Sequence, residues 1–424
     1  MSEKIYALID CDNFYVSCER VFRPDLRDKP VIVLSNNDGC IISRSNEVKQ
    51  LGIEMGTAYF KIMDIIKKYD IKIFSSNYPL YADLSNRIVK TLEMFSPNIE
   101  VYSIDESFLQ LSIGKHDCTK YCKEIRERIL KNTGIPTTIG IAYTKTLTKV
   151  ASKIAKKNKE YNGVLSLLNT GTNDKYLQMV EVNDVWGVGR KYSKWLEERG
   201  IYTARDLKYA DKEYIRKKMT VNGYRTVMEL NNIECLPLEK EKKNRKSIVD
   251  SKSFGKLTDS LDDIKKSLAL DVTRAGEKLR AQNCLAGFLT VFLTTSPFRD
   301  NRYSNSISIK LPYPVSDSST LIKYAFLGLE KIFRQGYLYK KTGVILTDIS
   351  SVKDVQLNFN VNCFLQHTEK QNQIMNSIDR INKKWGRDTV TVGALGLENN
   401  LKMRQNMKSP RYTTNWEEIL NVHI

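Results

Sequence analysis

The feature that most constrains this chain is a set of three carboxylates at the ends of apolar, strand-like segments. Asp10 follows residues 5–9, and the adjacent pair Asp105 and Glu106 follows residues 99–104. Neighbouring side chains of a strand point to opposite faces, so the pair can serve one site only if a turn or bulge lies between its members. Carboxylates held together without a local basic partner favour a divalent metal. Each acid alone would also suit a turn or a cap, but the three together indicate a metal site.

The charge balance indicates a polyanionic partner. Lysine and arginine number 67 against 49 acidic residues, a formal net charge of +18 over 424 residues, which should divide into three or more domains. Nucleic acid and anionic membrane are the two candidate partners, and no apolar run approaches the roughly 20 residues of a membrane span. The first residues show no secretory signal. We therefore expect a cytoplasmic, nucleoid-associated protein whose eight cysteines stay reduced.

Alternating segments around the acids predict one layered domain. Strands are expected at residues 5–9, 99–104, 107–111 and 137–142, with helices at residues 81–95 and 122–130. This order predicts a βαββαβ-type layer, in which helices pack on one side of an antiparallel sheet and the acidic pair lies at a hairpin tip. A compact insert should contain two strands joined at residues 36–39 and a helix over residues 45–52.

A row of lysines marks the helix expected over residues 144–157. Its apolar face is defined by Leu147, Val150, Ala151 and Ile154, and a different face carries Lys145, Lys149, Lys153 and Lys156. Such a row is usually a solvated surface. In a chain this basic it is also a candidate contact for DNA phosphates, which we assign to Lys145 and Lys149.

Two glycines precede a further helix. Gly187 and Gly189 lie just ahead of Lys191, where backbone N–H groups could approach a phosphate closely. With a partner helix near Thr203, they predict a hairpin that holds a DNA backbone without reading its bases, although an ordinary helical turn would look the same. After a charged linker, further strands and helices predict a second, basic domain of two helices on a four-stranded sheet.

The acids suit in-line attack of a 3′-hydroxyl on a nucleotide α-phosphate. One metal ion activates the attacking oxygen and a second neutralises the departing pyrophosphate, with the ions about 3.5–4 Å apart. Oxygen ligands of this kind favour two Mg²⁺ ions. We expect Asp10 and Asp105 to bridge both ions, Glu106 to hold the attacking-side metal, and the backbone carbonyl of Cys11 to complete the nucleotide-side shell.

These segments together resemble the Y-family translesion DNA polymerases, and within that family the UmuC-type members. The resemblance is carried by DCDNFY at residues 10–15, SIDES at 103–107, AYTKTLTKVASKIAKK at 142–157, WGVG at 186–189 and SPRYTT at 409–414. It implies an α+β, multidomain right-hand polymerase with a ferredoxin-like palm, small fingers, a helical thumb containing a helix-hairpin-helix, and an α+β little finger. The implied domains are a palm at residues 1–13 and 80–170, fingers at 14–79, a thumb at 171–240, a linker at 241–246, a little finger at 247–350 and a C-terminal extension at 351–424. We expect that extension to be an appendage rather than part of a core.

The resemblance also implies roles for residues outside the acids. Tyr15 matches the steric gate that excludes a ribose 2′-hydroxyl, and Phe14 beside it is expected to contact the same nucleotide. The triphosphate contacts are expected from Arg44, Asn46, Lys49 and Lys156. The implied partners are primer–template DNA, deoxynucleoside triphosphates, a processed UmuD-type dimer and a recombinase filament. Residues 356–360 resemble a sliding-clamp peptide.

The implied activity is template-directed DNA synthesis past damaged bases during the bacterial DNA-damage response. The chain has no room for a proofreading domain of ordinary size, and short fingers offer little polypeptide to reject poor base-pair geometry. Errors should therefore persist. Two alternatives stay open. A non-catalytic DNA-binding scaffold would need only the hairpin and the basic domain, whereas a palm-type nucleotidyl cyclase would need only the acids and metals.

Overall fold

The computed structural model describes residues 4–113, 118–239, 244–354, 362–396 and 403–420, and these divide into two units. The first unit takes its residues from Met1–Ser35, Gly39–Lys242 and Asn406–Ile424, and the second from Asn36–Asp38 and Lys243–Gln405. The predicted segment 356–360 and residues 241–243 of the predicted linker lie outside the described residues.

The first unit contains eight strands and ten helices among its described residues. In chain order they are β1 Ile5–Cys11, α1 Phe14–Phe22, β2 Val31–Leu34, β3 Ile41–Arg44, α2 Asn46–Gln50, α3 Met63–Lys68, β4 Lys72–Ser75, α4 Tyr78–Leu92, β5 Ile99–Val101, β6 Glu106–Leu111, α5 Cys118–Thr133, β7 Thr137–Ala142, α6 Lys145–Lys157, β8 Val164–Ser166, α7 Asn173–Gln178, α8 Arg190–Glu197, α9 Ala204–Tyr209 and α10 Lys212–Leu230. The predicted strands and helices of this unit are confirmed, with end points that differ by a few residues.

A five-stranded sheet in the order β5-β6-β1-β7-β8 positions the acids. Strand β1 lies at its centre, antiparallel to β6 and β7, while the short edge strand β8 is parallel to β7. Ile5, Ala7 and Ile9 of β1 pack into a core cluster with residues of α4 and α5. Alternate residues of β1 therefore face the opposite side of the sheet.

Helix α6 packs on that opposite side, so the prediction that all helices lie on one side is wrong. Its apolar residues Leu147, Val150 and Ala151 belong to a separate core cluster with α7–α10. It approaches β7 so closely that a Cβ atom at Gly140 would lie 2.1 Å from the carbonyl oxygen of Thr148. The helical period identified the buried face of α6, but it carries no information about which side of the sheet receives that face.

The N-terminus of α6 is anchored by a buried carboxylate. Glu229 of α10 accepts hydrogen bonds from Thr146 N (2.9 Å) and Thr146 Oγ1 (2.7 Å) through one oxygen, and from Leu236 N (2.9 Å) through the other. Negative charge is favoured at a helix N-terminus. This bond set fixes the position of α6, and hence of its lysines, relative to the sheet.

Two smaller regions complete the first unit. A three-stranded sheet, β3-β2-β4, has its own core and contains the predicted insert strands. Gly52, just after α2, has a φ of 74° and ends that helical region. The helical region α7–α10 contains the predicted partner helix α9, whose N-cap Thr203 forms a capping box with Asp206.

The second unit is the predicted four-stranded sheet with two helices packed against it. Its elements are β9 Ile248–Thr258, α11 Leu261–Arg280, β10 Cys284–Thr295, β11 Ser304–Val315, α12 Ser318–Ile332, β12 Tyr339–Ser351 and α13 Asn362–Trp385. The sheet order is β11-β10-β12-β9, and α11 and α12 cover it with one core cluster. Helix α13 was not predicted from the sequence, although Ile374, Ile378 and Ile381 recur at helical spacing within its polar sequence.

The C-terminal residues from 406 onward are part of the first unit, so the prediction that the C-terminal extension is only an appendage is wrong for this segment. Met407 forms two hydrogen bonds with Ser75 at the end of β4: Ser75 N donates to Met407 O at 2.9 Å, and Met407 N donates to Ser75 Oγ at 3.0 Å. Tyr412 stacks on Phe22 with ring centroids 4.6 Å apart. The packing of this segment against the first unit could not be predicted from its polar composition, because its contacts are mainly hydrogen bonds.

Candidate active site

The sheet register brings the three predicted acids to one end of the central strands. Asp10 on β1 lies directly opposite Glu106 on β6, so their Cβ atoms are about 5 Å apart on the same face. Cys11 N donates a 2.9 Å hydrogen bond to Asp105 O, which brings the third acid beside the same strand end. We call Asp10, Asp105 and Glu106 the acidic trio.

The predicted turn between the adjacent acids is present and is built around Ser103. Its hydroxyl donates to Asp105 Oδ1 at 2.6 Å, and its oxygen accepts from Glu106 N at 3.1 Å. Asp105 thus lies in the bend, and Glu106 is the first residue of β6. The bend releases Asp105 from strand alternation, so both carboxylates can serve one site.

Two lysines of α6 neutralise the trio. Lys149 Nζ lies 2.7 Å from Glu106, and Lys156 Nζ lies 2.6 Å from Asp10 and 3.7 Å from Asp12. The two lysines are seven residues apart, about two helical turns, and so project from the same side of α6. The lysine row is therefore not a solvated surface. Lys149, with 17% of its side chain exposed, is paired with Glu106 in the acidic site, and its contact with DNA stays a prediction.

Asp10 is the most strongly perturbed acid of the trio. Burial raises the pKa of Asp10 to about 6; Lys156 opposes this rise, while Glu106 and Asp105 add to it. The neighbouring Asp12 also has a raised pKa because of burial, against the opposing effect of Lys156. A desolvated, mutually repelling group of carboxylates is an environment that a divalent cation would relieve.

The carboxylates do not already surround a common point. Across the described parts of the chain, no three histidine, cysteine, aspartate or glutamate side chains are arranged to hold a metal ion. The ion pairs account for this, because Lys149 and Lys156 draw Glu106 and Asp10 toward α6. The donor chemistry still fits Mg²⁺, since the trio supplies hard carboxylate oxygens within one cluster.

A group of cations lies beside the trio. Burial lowers the pKa of Lys49 on α2, and the nearby charges of Lys156 and Arg44 lower it further. Asn46 bridges this group, because its Oδ1 accepts from Lys49 Nζ at 3.3 Å and from Asn13 Nδ2 at 3.1 Å. Arg44 also donates to the carbonyl of Ile53. The structure thus brings the four predicted phosphate contacts together, in a cluster of positive charge that favours an anion.

The predicted gate residue lies on an aromatic support. Tyr15 stacks on Tyr81 of α4 with ring centroids 4.6 Å apart, and it meets Tyr78 edge-on at 6.0 Å. Burial, with smaller effects of Tyr78 and Asp105, raises the pKa of Tyr15 to about 12. The side chain of Phe14 is 4% exposed and packs in the core, contrary to the prediction that it contacts a nucleotide.

The predicted DNA contacts divide into exposed and buried residues. The prediction that Lys145 binds DNA is contradicted, because its side chain is 3% exposed, pairs with Glu100 and donates to Pro237 O at 2.9 Å. Gly187 has a φ of 90°, which favours glycine, and Gly189 is the N-cap of α8. Lys191, in the first turn of α8, is exposed. A backbone contact at this turn stays a prediction.

Sequence reasoning missed several residues around the site. Tyr102 and Trp186 surround the Lys149 ammonium, with centroids 4.5 and 5.4 Å from its nitrogen. Thr138 donates to both oxygens of Asp12, at 2.9 and 3.1 Å. Asp12 could have been found, because it lies inside the motif that carries Asp10. Trp186 lies inside the WGVG motif, but no sequence signal places it or Tyr102 beside Lys149, since only the packing of α6 brings Lys149 to them.

A buried glutamate lies behind the gate tyrosines. Glu19 of α1 is 0% exposed, and its Oε1 accepts from Tyr81 Oη at 2.6 Å and from Ser409 Oγ at 3.0 Å. Burial raises the pKa of Glu19 to about 7, although both hydrogen bonds act to lower it. The other titratable side chains near Glu19 are Cys18 and Tyr412.

This raised pKa predicts a pH-dependent stability of the first unit. Below pH 4.5, the ordinary pKa of Glu19, both folded and unfolded states carry the proton. From pH 4.5 to 7 the unfolded state loses the proton first, so stability falls as pH rises, by about 3 kcal/mol in total. Glu19→Gln should remove this pH dependence. Compared with wild type, the variant should therefore gain more free energy of unfolding at pH 8 than at pH 5.

Hydrogen exchange of α1 and α4 amides in wild type and Glu19→Gln, compared at pH 5 and pH 8, measures the effect. Glu93→Gln, an exposed change at the end of α4, is the matched control and should alter protection equally at both pH values. Equal effects of Glu19→Gln at pH 5 and 8 would contradict the prediction.

No helix within the described ranges is both long and apolar enough to cross a bilayer.

Comparison with known sequences identifies related proteins over nearly the whole chain. Residues 9–153 match the impB/mucB/samB family, residues 245–359 its C-terminal domain, and residues 372–422 a domain of unknown function, DUF4113. Protein UmuC of Salmonella typhimurium is 42% identical over 99% of this chain and 100% of the relative. Protein ImpB of Salmonella typhimurium is 39% identical over 98% and 99%. DNA polymerase IV 1 of Halalkalibacterium halodurans is 26% identical over 91% and 92%.

Solved structures show the same fold. A Y-family DNA polymerase chimera of Dbh and Dpo4 superposes with a TM-score of 0.66 at 23% identity, over 82% of this chain and 99% of the chimera. An insertion ternary complex of Dbh DNA polymerase gives a TM-score of 0.55 at 23% identity, over the same shares. The palm, fingers, thumb and little-finger architecture expected from the sequence is thereby confirmed. With the full-length similarity to Protein UmuC, the chain belongs to the impB/mucB/samB family, and its fold is that of the Y-family DNA polymerases.

Proposed function

We propose that this protein extends a DNA primer by template-directed addition of deoxynucleotides past damaged bases, with low fidelity and without proofreading. The observation that carries the proposal is the meeting of the acidic trio at one sheet end, beside the cations Arg44, Lys49 and Lys156. Acids suited to a metal beside cations suited to a triphosphate are the two halves of a nucleotidyl-transfer site.

The Y-family fold implies dependence on a divalent metal, and we propose two Mg²⁺ ions. Asp10, Asp105 and Glu106, with the backbone carbonyl of Cys11, would hold them. Bound metal supplies stabilisation of the charge that develops on the attacking and leaving oxygens. For the acids to hold metal, the ion pairs Lys149–Glu106 and Lys156–Asp10 must open. Lys156 is then available to pair with a phosphate.

The remaining assignments concern positioning. Lys49, Lys156 and Arg44 bind the triphosphate, and Asn46 holds Lys49 in place. Tyr15 contacts the sugar and excludes a ribose 2′-hydroxyl. Backbone N–H groups at Gly187 and Gly189, with Lys191, contact the phosphates of the DNA.

The same proposal covers the domain bounds and the partners. The separate sheets and the helical region support the palm, fingers, thumb and little-finger ranges given above. The related Dbh structure is an insertion ternary complex of a DNA polymerase, and we propose primer–template DNA and deoxynucleoside triphosphates as the substrates of this chain. A cytoplasmic location, a UmuD-type dimer, a recombinase filament and a clamp contact through residues 356–360 remain predictions from resemblance.

Primer extension on an undamaged template and on one with an abasic site tests the function. We expect Mg²⁺-dependent extension on both, with misinserted bases retained, first with the chain alone and then with accessory proteins. Complete arrest at the lesion under every partner condition would contradict translesion synthesis. A cyclic nucleotide formed without primer would favour the cyclase alternative, and full cellular function of an Asp105→Ala, Glu106→Ala protein would favour the scaffold.

A further inference from the structure

The C-terminal segment of residues 407–412, which we call the C-terminal strap, closes over the start of α4. Ser75 and Lys408 form a parallel bridge, and Asn77, the N-cap of α4, donates to Ser409 O at 3.1 Å and to Ser409 Oγ at 2.9 Å. Asn77 is 0% exposed and Ser409 is 7% exposed. The strap is therefore built into the first unit through buried polar contacts.

A continuous set of contacts leads from the strap to the gate. Ser409 Oγ donates to Glu19 Oε1, and Tyr81 Oη donates to the same oxygen. The ring of Tyr81 in turn stacks on Tyr15 at 4.6 Å, with an interplanar angle of 21°. Both donors therefore share one carboxylate oxygen. The other oxygen, Glu19 Oε2, has no hydrogen-bond partner among the described residues.

Glu19 is the side-chain anchor of Tyr81, and the Tyr81 hydroxyl also contacts the backbone of Asn77. The ring is fully buried, so the position of its hydroxyl depends on Glu19 and Asn77, both of which contact Ser409 of the strap. An aromatic stack depends on ring offset and tilt, so a change in Tyr81 alters the support of Tyr15. A gate that excludes one hydroxyl group acts by position, and small displacements of the supporting ring are enough to relax it.

We infer that the C-terminal strap is a specificity element: through Ser409, Glu19 and Tyr81 it positions Tyr15 and so sets discrimination between deoxyribonucleotides and ribonucleotides. This inference rests on the proposed function and goes beyond it, because it assigns a role to part of the region that matches a domain of unknown function. Ser409, Glu19 and Tyr81 are positioning residues.

Single-nucleotide insertion on an undamaged primer–template tests the inference. The measured quantity is the ratio of kcat/KM for a deoxynucleotide to kcat/KM for the matching ribonucleotide, in wild type, Ser409→Ala, Tyr81→Phe and the double variant. We expect each single change to lower the ratio about 5- to 10-fold, the effect of about one net hydrogen bond. The deoxynucleotide kcat should stay near the wild-type value. The double variant should match the single ones, because both changes break the same connection.

Three controls separate this role from general destabilisation. Ser409→Thr keeps the hydroxyl and should restore the ratio. Thr414→Ala removes an exposed hydroxyl just beyond the strap and should leave the ratio unchanged. Tyr15→Ala should lower the ratio further than any strap variant.

The outcomes are distinguishable. If Tyr15→Ala lowers the ratio but Ser409→Ala and Tyr81→Phe leave it within about twofold of wild type, well below the effect of one hydrogen bond, the inference is overturned and the polymerase function stands. Additive effects in the double variant would also overturn it. A wild-type protein that inserts no deoxynucleotide would instead overturn the proposed function.

Discussion

Asp105→Asn is expected to lower the rate of primer extension by at least about 10³-fold, since it removes charge stabilisation at the reacting phosphate. The Asp105 carboxylate accepts a 2.6 Å hydrogen bond from Ser103 Oγ. The amide oxygen of asparagine can accept the same bond, so the hairpin turn should persist while the negative charge needed by a divalent cation is lost. Single-turnover extension at saturating nucleotide and Mg²⁺ measures the rate.

Asp184→Asn is the matched control for this change. Asp184 also pairs with lysines of α6, Lys153 and Lys157, but it lies outside the acidic trio. Its replacement should leave the extension rate nearly unchanged. Near-wild-type extension by Asp105→Asn would show that Asp105 holds no catalytic metal.

Lys156→Met is expected to raise the KM for deoxynucleotides by about 10²-fold, because truncating one member of a hydrogen-bonded charge pair typically costs 2–5 kcal/mol. Lys156 is the one lysine of α6 that pairs with Asp10, and its side chain is still 34% exposed. It is therefore able to exchange a carboxylate for a phosphate. Steady-state insertion kinetics across a nucleotide titration measure the effect, and methionine preserves most of the aliphatic stem.

Lys153→Met tests whether any lysine of α6 would behave in the same way. Lys153 lies on the preceding turn and pairs with Asp184. The KM of Lys153→Met for deoxynucleotides should stay close to the wild-type value. If both variants raise the KM equally, the effect reflects the general charge of α6; if neither does, Lys156 does not bind the triphosphate.

Much of the local structure could be predicted because its signals are local. Thr203 and Asp206 form a capping box, Gly52 takes a positive φ after α2, and Ser103 forms the turn between two strands. Short or polar elements were harder. Strand β8 has three residues and pairs in parallel, so neither alternation nor a turn marks it. Helix α13 is polar overall, although Ile374, Ile378 and Ile381 recur in it at helical spacing.

The acidic trio was predictable for a chemical reason. Adjacent carboxylates after an apolar strand are costly unless they serve a site, and a second acid-tipped strand supplied the partner. The partners of the lysines were not predictable. Lys145, Lys149, Lys153 and Lys156 are similar residues at helical spacing, yet each pairs with a different acid: Glu100, Glu106, Asp184 and Asp10.

The sequence by itself determined most of the strands and helices, to within a few residues at their ends, and that three carboxylates follow apolar strands and form one site, because periodicity and turn residues act over a few neighbouring positions. The tertiary structure alone decided on which side of the sheet α6 packs, and therefore that Lys145 is buried while Lys156 reaches Asp10. It also decided that Ser409 lies beside Glu19, 390 positions earlier in the chain. Such contacts depend on the packing of whole elements, which no local pattern of residues encodes.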